Sequence, residues 1–486
     1  MEDEEADLRI DAQFVIAWRD GNHEIVPNGS VVVAGDRIVY AGPRTDQPAS
    51  RILNEPERIV APGFVSTHTH VSDSPLTRSI VEDRGNPDFS YSGLYEYLTP
   101  IGRATDDKMA LAATEASLVE LARSGVTTVV EVGLQAGEQV VELFERSGLR
   151  AYVGRMFRSA NWRVEQRRHL LYDWLSAQDE YGSWISALNF ATSVDGIAGG
   201  RIRAIITPAQ VDTCRRDLLA LVAAEADRLG FPVSTHACQS INELEAIRER
   251  HGCSPIELLD DVGLLGPNFV LAHGMFTDEH PWAGSEQRSD LRLLAESGSV
   301  LAHCPWVFAR RGIALRSFAK YREAGVALSL GVDSVPQSML HEMRVAATVG
   351  KLANGVTQDV TAGDVFDAAT VRGADALGRS DLGRLAPGAL ADLVCFRTDT
   401  VDMAPVRDPI KNIVYSATSR DVAMVMVAGR QILENGVLAG FDEPRIAAGL
   451  QRQAQRLWDA FPEHEWEGRS VDDVSPPTYH RPSEYG

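Results

Sequence analysis

The segment FVSTHTHVSDSP (64–75) places His68 and His70 one residue apart at the end of an apolar run, in a chain with twelve histidines. Side chains alternate along a strand, so two residues at this spacing face the same way. Two imidazoles held side by side repel each other when protonated, and when neutral they chelate a divalent cation well. Three further apolar runs end in a histidine: His236 in STHAC, His273 in LAHG and His303 in LAHCP. Another ends in Asp333, in LGVDS. A lone histidine at a strand end is more often a hydrogen-bonded core residue than a ligand. Five histidines and a carboxylate at the same end of five strands are not explained by independent core packing.

The elements that must position these residues follow a rhythm of apolar run, loop and helical pattern. The runs are GFVSTH (63–68), VTTVVEVG (126–133), LRAYVGRMF (149–157), IRAIITP (202–208), FPVSTHAC (231–238), NFVLAHG (268–274), SVLAHCP (299–305) and VALSLGVD (326–333). Between the first two, Leu111, Leu118 and Leu121 fall on one helical face and Gly125 supplies a stop. Eight strands alternating with helices predict an α/β chain with a (β/α)8, TIM-like barrel, whose chemistry sits at the C-terminal strand ends. Residues 8–60 read as short strands, FVIAWRD, SVVVAGDRIVYAG and RIVAPGF, with PNGS and AGD as turns. After a helix over 361–377, strands return in GALADLVCF (388–396) and VAMVMVAGRQILENGVL (422–438). A small β-sandwich domain formed from both chain ends, residues 1–60 and 385–440, is therefore expected beside a barrel of residues 61–384. Residues 441–486 read as a C-terminal helix (443–461) and a Pro-rich, charged tail, either mobile or draped over a neighbouring surface.

Composition excludes some partners. Against 47 basic residues stand 68 acidic ones, a net charge of −21 that repels phosphate backbones and anionic membranes. No apolar run approaches membrane-spanning length. The opening MEDEEADLRI is acidic where a targeting signal would be basic and apolar. Cys214, Cys238, Cys253, Cys304 and Cys395 are odd in number and hold no C-x-x-C pair, as reduced thiols in the cytosol would. The expectation is a cytoplasmic protein acting on a small molecule, without nucleic acid or membrane.

The motifs APGFVSTHTH, VLAHGMFTDEH, LRLLAESGSVLAHCP, AGVALSLGVDS and LGRLAPGALADLVCF together span nearly the whole chain. In them the sequence resembles the amidohydrolase superfamily, in the branch holding triazine hydrolases, guanine deaminases and adenosine-type deaminases. The resemblance implies that His68, His70, His236 and Asp333 bind one divalent metal ion, zinc by default, with iron, cobalt or manganese able to use the same ligands. It implies that His273 hydrogen-bonds the attacking water or the electrophilic centre. Asp333 then accepts a proton and passes it to the leaving group. By analogy the chain forms a homodimer or larger homo-oligomer.

Two departures narrow the reading. Binuclear relatives bridge two metals with a carboxylated lysine at the end of strand four. None of Lys108, Lys320, Lys351 and Lys411 lies there, so a mononuclear site is expected. Ring deaminases carry a glutamate three residues after the strand-five histidine, and here that position is Gln239, an amide that cannot shuttle a proton. Glu243 and Glu245 have the wrong offsets and read as surface or supporting charges. Losing the acid handicaps attack on an aromatic ring more than attack on an open-chain carbonyl. The expected reaction is therefore hydrolysis of a C–N bond, or a thiocarbamate C–S bond, in a small, neutral, apolar or aromatic urea, carbamate or amide, as in phenylurea and thiocarbamate hydrolases. The alternative is a deaminase or dechlorinase of a purine, pyrimidine or triazine ring. A non-catalytic assembly module is the third reading, opposed by the intact histidines and Asp333.

The family's HCP continues here as WVFARRG, so His303 is expected to line or support the pocket, with Trp306 and Phe308 presenting apolar surface. Trp162, Tyr91 and Tyr95 on mouth-facing loops would extend it. Cys238 and Cys304 read as structural. His23, His169, His251, His280, His341 and His464 fall in loops or helices without converging partners, His341 near enough to Asp333 to reach the rim.

Overall fold

In the computed structural model, which describes residues 6–284 and 289–479, the chain begins with four strands: β1 (Ala6–Arg19), β2 (Asn22–Ala34), β3 (Arg37–Pro43) and β4 (Ala49–Pro62). The expected turn at PNGS lies inside β2, where Asn28 takes a left-handed φ of 48°, and the chain reverses earlier, at Asp20–Gly21. His23 and His169, expected in loops or helices, sit on strands instead. His23 is wedged edge-on between Trp18 and Phe366.

All eight apolar runs are strands or contain one. They are β5 (Phe64–Thr69), β6 (Val126–Glu131), β7 (Arg150–Val153) with β8 (Met156–Phe157), and β11 (Ile202–Ala204) with β12 (Thr207–Pro208). The others are β13 (Val233–Ala237), β14 (Phe269–His273), β15 (Val300–His303) and β16 (Ala327–Leu330). Between β8 and β11 a hairpin, β9 (Ala160–Glu165) and β10 (His169–Trp174), projects from the loop after the third barrel strand.

Parallel pairing runs β5–β6–β7–β11 and β13–β14–β15–β16, and bridges Ile206–Val233 and Thr69–Asp333 connect the two arcs. At the second junction the Asp333 N–H donates to the His68 carbonyl and the His70 N–H donates to the Asp333 carbonyl, each at 2.9 Å. The approach is close enough that a Cβ on Gly331 would stand 2.7 Å from the His68 Cβ, which explains a glycine there.

Strands β17 (Leu393–Arg397), β18 (Val422–Val427), β19 (Arg430–Glu434) and β20 (Val437–Leu438) join the N-terminal four in one continuous eight-stranded sheet, ordered β20-β19-β18-β17-β4-β1-β2-β3. It keeps its own apolar cluster, with Ile10, Val15, Val31, Ile38, Leu393 and Met426 in it. The helix expected over 361–377 breaks at Thr370, giving Ala362–Ala369 and Val371–Asp375.

The long loop after β5 forms a cover held from outside. Leu76, Ile80, Tyr97 and Ile101 pack against Leu457 and Phe461 of the helix Glu443–His464. The described part of the tail is draped over this cover, where the Trp466 indole donates to the Tyr95 carbonyl at 2.9 Å. Residues 480–486 lie outside the described residues. No helix among the described residues is long and apolar enough to cross a membrane.

Barrel and sheet are joined by a buried bidentate ion pair. Arg150 on β7 donates to both oxygens of Asp392, at 3.0 and 3.2 Å, and Asp392 also accepts the Ala428 N–H at 2.7 Å. Removing one partner of a buried pair strands the other charge. Asp392→Ala is expected to cost about 3–5 kcal/mol of unfolding free energy, read as a lowered denaturant midpoint. A midpoint equal to that of the parent would show that the pair does not hold the two units together.

Candidate active site

Five side chains meet at the C-terminal mouth of the barrel. His68 is the penultimate residue of β5 and His70 follows the strand; His236 lies on β13, His273 ends β14, and Asp333 stands three residues past β16. The His70 and His236 rings are parallel, 4° apart in plane, with their Nε2 atoms at 3.2 Å. His68 is edge-on to His70, His236 and His273, its centroid 5.0, 4.7 and 4.9 Å from theirs. The Asp333 carboxylate is 3.9 Å from His68 Nε2, 3.8 Å from His70 Nε2 and 3.9 Å from His273 Nε2.

Local structure makes this convergence possible. Asp333 takes a left-handed φ of 53°, a strained conformation for a non-glycine residue and one that cores seldom keep without a functional reason. A Cβ on Gly133 would come within 3.1 Å of His70 Nδ1, so the glycine clears room for that ring.

One nitrogen of the cluster is fixed as a bare lone pair by its neighbour. A carbonyl oxygen only accepts, so the 2.5 Å contact from His236 Nδ1 to the Ala209 carbonyl puts the proton on Nδ1 and leaves Nε2 bare. Burial first, and repulsion from the other rings second, drive His68 and His273 well below the ordinary imidazole range and His236 down to about 3. Neither ring nitrogen of His68 or His273 has a hydrogen-bond partner among the described residues. Donor atoms of His68, His70 and His236 lie within 4.8 Å of one another, as do those of His68, His273 and Asp333. Buried unpartnered nitrogens beside a carboxylate are costly unless a cation sits among them, so this donor set fits a divalent metal ion.

The cluster opens into a cavity of about 370 Å³. Gln239 and Trp162 reach its wall as expected, although the Trp162 indole also donates to Asp212 at 3.1 Å. The remaining aromatic expectations need correction. Tyr91 points outward and is 45% exposed. Tyr95 is fully buried against Phe89 and Trp162, its hydroxyl 2.8 Å from Ser240 Oγ. Pro305 opens a short helix, Pro305–Ala309, instead of a loop. Its turn sends Trp306 toward His341, with the indole donating to the Val335 carbonyl at 3.1 Å. Phe308 goes behind His273, at 5.1 Å, and Val307 faces the cavity. His303 faces a separate small void with Met275, Pro305 and Leu315. Cys238 and Cys304 are buried, as the structural reading requires.

Several residues escaped the sequence reading. Asp73, three residues past His70, lines the cavity, and burial raises its carboxyl. Glu131 ends β6 and accepts the Val71 and Gly133 N–H groups at 2.7 and 3.0 Å, pinning two mouth loops; burial pushes it up to about 7. A carboxylate ending a barrel strand, in VVEVG, was the signal for it. Arg103, Arg158, Arg310 and Arg311 also line the wall beside Leu94 and Leu98, which an apolar pocket did not anticipate. Glu245 is exposed, but Glu243 is fully buried and clamps the end of the fifth barrel strand. It accepts the N–H groups of Cys238 at 2.6 Å and Gln239 at 2.9 Å, and the Gln210 amide at 3.1 Å.

The amidohydrolase family profile matches residues 59–432. A 5-methylthioadenosine/S-adenosylhomocysteine deaminase of Symbiobacterium thermophilum is 31% identical over 90% of this chain and 96% of its own length. One from Pyrococcus abyssi is 29% identical over 86% and 92%. An adenosine deaminase structure from Xanthomonas campestris with bound zinc superimposes with a TM-score of 0.80, at 23% identity, over 93% of this chain and 99% of that one. A zinc complex of an atrazine chlorohydrolase from Arthrobacter aurescens TC1 gives 0.78 at 21% identity, over 92% and 100%. These structural likenesses establish a barrel with an added domain.

Burial first, then the neighbouring Asp212, push Glu243 from an ordinary 4.5 up to about 8. Its folded-state value exceeds the unfolded one, so its contribution to stability is complete below the unfolded value and is lost as the pH rises through the folded one. Chemical denaturation of wild type and Glu243→Gln from about pH 5 to pH 9 should show the wild type losing ground relative to the variant as pH rises. A pH-independent difference would contradict this ionisation.

Proposed function

The chain belongs to the amidohydrolase family and is a metal-dependent hydrolase of C–N bonds other than peptide bonds, and from that premise we propose that it is a deaminase. Water would displace an exocyclic amine from a nitrogen heterocycle of the purine nucleoside kind, releasing ammonia. The observation that carries this reading is the near-full-length likeness to relatives named as 5-methylthioadenosine/S-adenosylhomocysteine deaminases. It displaces the urea and thiocarbamate expectation, which no such relative supports.

His68, His70, His236 and Asp333 would hold one cation. None of the four lysines lies near the end of the fourth barrel strand, where a second metal would need its bridge. When bound, such an ion acidifies water toward a pKa of ~7 and so supplies a nucleophile at neutral pH. Asp333 takes the proton lost by that water and returns it to the departing amine. His273, backed by Phe308, is held to donate a hydrogen bond to the oxygen that adds to the attacked carbon. Gln239 faces the cavity and offers amide N–H groups to the ring nitrogen beside that carbon. An amide orients that nitrogen without protonating it. This one feature favours a second reading, hydrolysis of an acyclic amide-like bond.

Zinc-loaded protein is expected to release ammonia from 5-methylthioadenosine, S-adenosylhomocysteine or adenosine, at about one metal ion per chain by elemental analysis. Release of aniline or thiol from a phenylurea or thiocarbamate panel, with no ammonia from any nucleoside, would replace this reading with the second one. Asp333→Asn should lower kcat by about 10²-fold or more. Gln239→Glu should raise ring deamination by about 10-fold, because it restores an acid beside the ring.

A further inference from the structure

The hairpin β9–β10 is a sheet of two strands by itself, with no ladder to the barrel among the described residues. A lone hairpin is marginally stable in water at best, so side chains must fasten it. Its first strand carries Trp162, the only aromatic side chain besides histidine on the cavity wall among the described residues. Where this strand sits therefore shapes the wall.

The fastening is concentrated on Asp212, four residues past β12 and fully buried. Trp162 and Tyr172 stand opposite each other in the hairpin register, so their side chains share a face. Asp212 Oδ2 accepts from both, from the Trp162 indole at 3.1 Å and from the Tyr172 hydroxyl at 2.6 Å. One carboxylate oxygen thus grips both strands at a single rung. Arg250 supports the grip: it donates to the Asp212 carbonyl at 2.8 Å, and its guanidinium lies 4.6 Å from the Tyr172 ring centre. The base of the hairpin is tied through its backbone, where the Ser159 N–H donates to the Thr213 carbonyl at 2.8 Å. The tip has an exposed ion pair, Arg167 with Glu467 at 2.8 Å, of a kind worth little. Packing on Phe89 and Tyr95 presses Trp162 from another side, but such contact is non-directional. The hydrogen bond to the indole N–H is what fixes the ring's orientation.

Packing alone gives no reason for a carboxylate here. Asp212 Oδ1 has no partner among the described residues, and Asp212 lies near buried Glu243, whose carboxyl is pushed up by burial and then by Asp212. Two neighbouring buried carboxyls oppose folding, so the acceptor is retained for what it holds. We propose that Asp212 is a positioning residue for substrate binding: by gripping one rung of the hairpin, it fixes Trp162 as the part of the cavity wall against which a flat heterocycle rests. The proposal rests on the cavity being where the substrate of the deaminase reading binds.

The test uses the metal-loaded enzyme with adenosine and 5-methylthioadenosine, read as ammonia release. Asp212→Leu should raise KM about 10-fold and leave kcat within about 3-fold, a loss the size of one hydrogen bond, with metal content at the parental level. Asp212→Asn should bring KM back near the parental value, because an amide oxygen can accept from both donors. Trp162→Phe keeps a ring and loses the N–H. It should raise KM alone and add little to Asp212→Leu, a non-additive pair. The single Trp162→Phe variant also carries the test if Asp212→Leu does not fold. Trypsin reads the hairpin without turnover: cleavage after Arg167 or Arg168, both exposed at the tip, should quicken in Asp212→Leu and not in Asp212→Asn. An unchanged KM in Asp212→Leu, a fall in kcat alone, equal losses in the Leu and Asn variants, or additive effects with Trp162→Phe would overturn the proposal. If no nucleoside yields ammonia and a phenylurea yields aniline, the deaminase reading fails by itself. The same KM rise is then expected on the phenylurea, and its absence there would overturn the role given to Asp212.

Discussion

Everything at the mouth of this barrel depends on one electrostatic constraint: four imidazoles and a carboxylate are gathered around one point at the inner end of a cavity. Burial alone would keep the His68, His236 and His273 rings uncharged, and repulsion among the rings reinforces it. Uncharged rings are competent ligands, and protonated ones are not. The parallel His70 and His236 rings, with facing nitrogens 3.2 Å apart, form an unfavourable arrangement unless a cation or a shared proton lies between them. The fold therefore holds the cluster ready for an ion.

The backbone does the holding. First and eighth strands are stitched together at the two residues that matter, since the His68 carbonyl and the Asp333 N–H are hydrogen-bonded to each other. Gly331 permits that approach, and the left-handed Asp333 turns its side chain toward the rings. Around this seam, Glu131 pins the loops after the first and second strands, and Glu243 pins the end of the fifth. The C-terminal helix then fixes the cover from outside. Rigid positioning of this kind keeps ligand geometry independent of the loops that shape the pocket.

The eight barrel strands, the sheet drawn from both chain ends and the convergence of His68, His70, His236, His273 and Asp333 were legible in the sequence. They rest on strand alternation and on the repeated position of polar residues at strand ends, both local signals. The pocket wall was not legible. Trp306 and Phe308 turned away because Pro305 begins a helix, and a helix distributes neighbours by 100° steps where a loop reading places them together. Tyr95 was lost to an aromatic cluster whose members are far apart in sequence. Arg103, Arg158, Arg310 and Arg311 gave no local signal, because an arginine in a loop is ordinarily solvated and only the fold brings all four to one cavity.

Gln239 and Glu243 illustrate why an offset in sequence is a statement about roles. Glu243 lies four residues beyond Gln239, is fully buried, and could be mistaken for the acid that an amide at Gln239 omits. Its oxygens, however, already accept three N–H groups: two from the backbone that carries Gln239 and one from Gln210. Turning either oxygen into the cavity would orphan buried backbone donors, at about 1–3 kcal/mol each. A carboxyl that anchors the wall is not free to visit the substrate. The chain thus separates two tasks. Glu243 fixes the backbone from beneath, while Gln239 presents donors from above, and proton movement is left to Asp333. That division leaves a wall that presents hydrogen-bond donors to acceptor groups of the substrate while the C–N bond breaks.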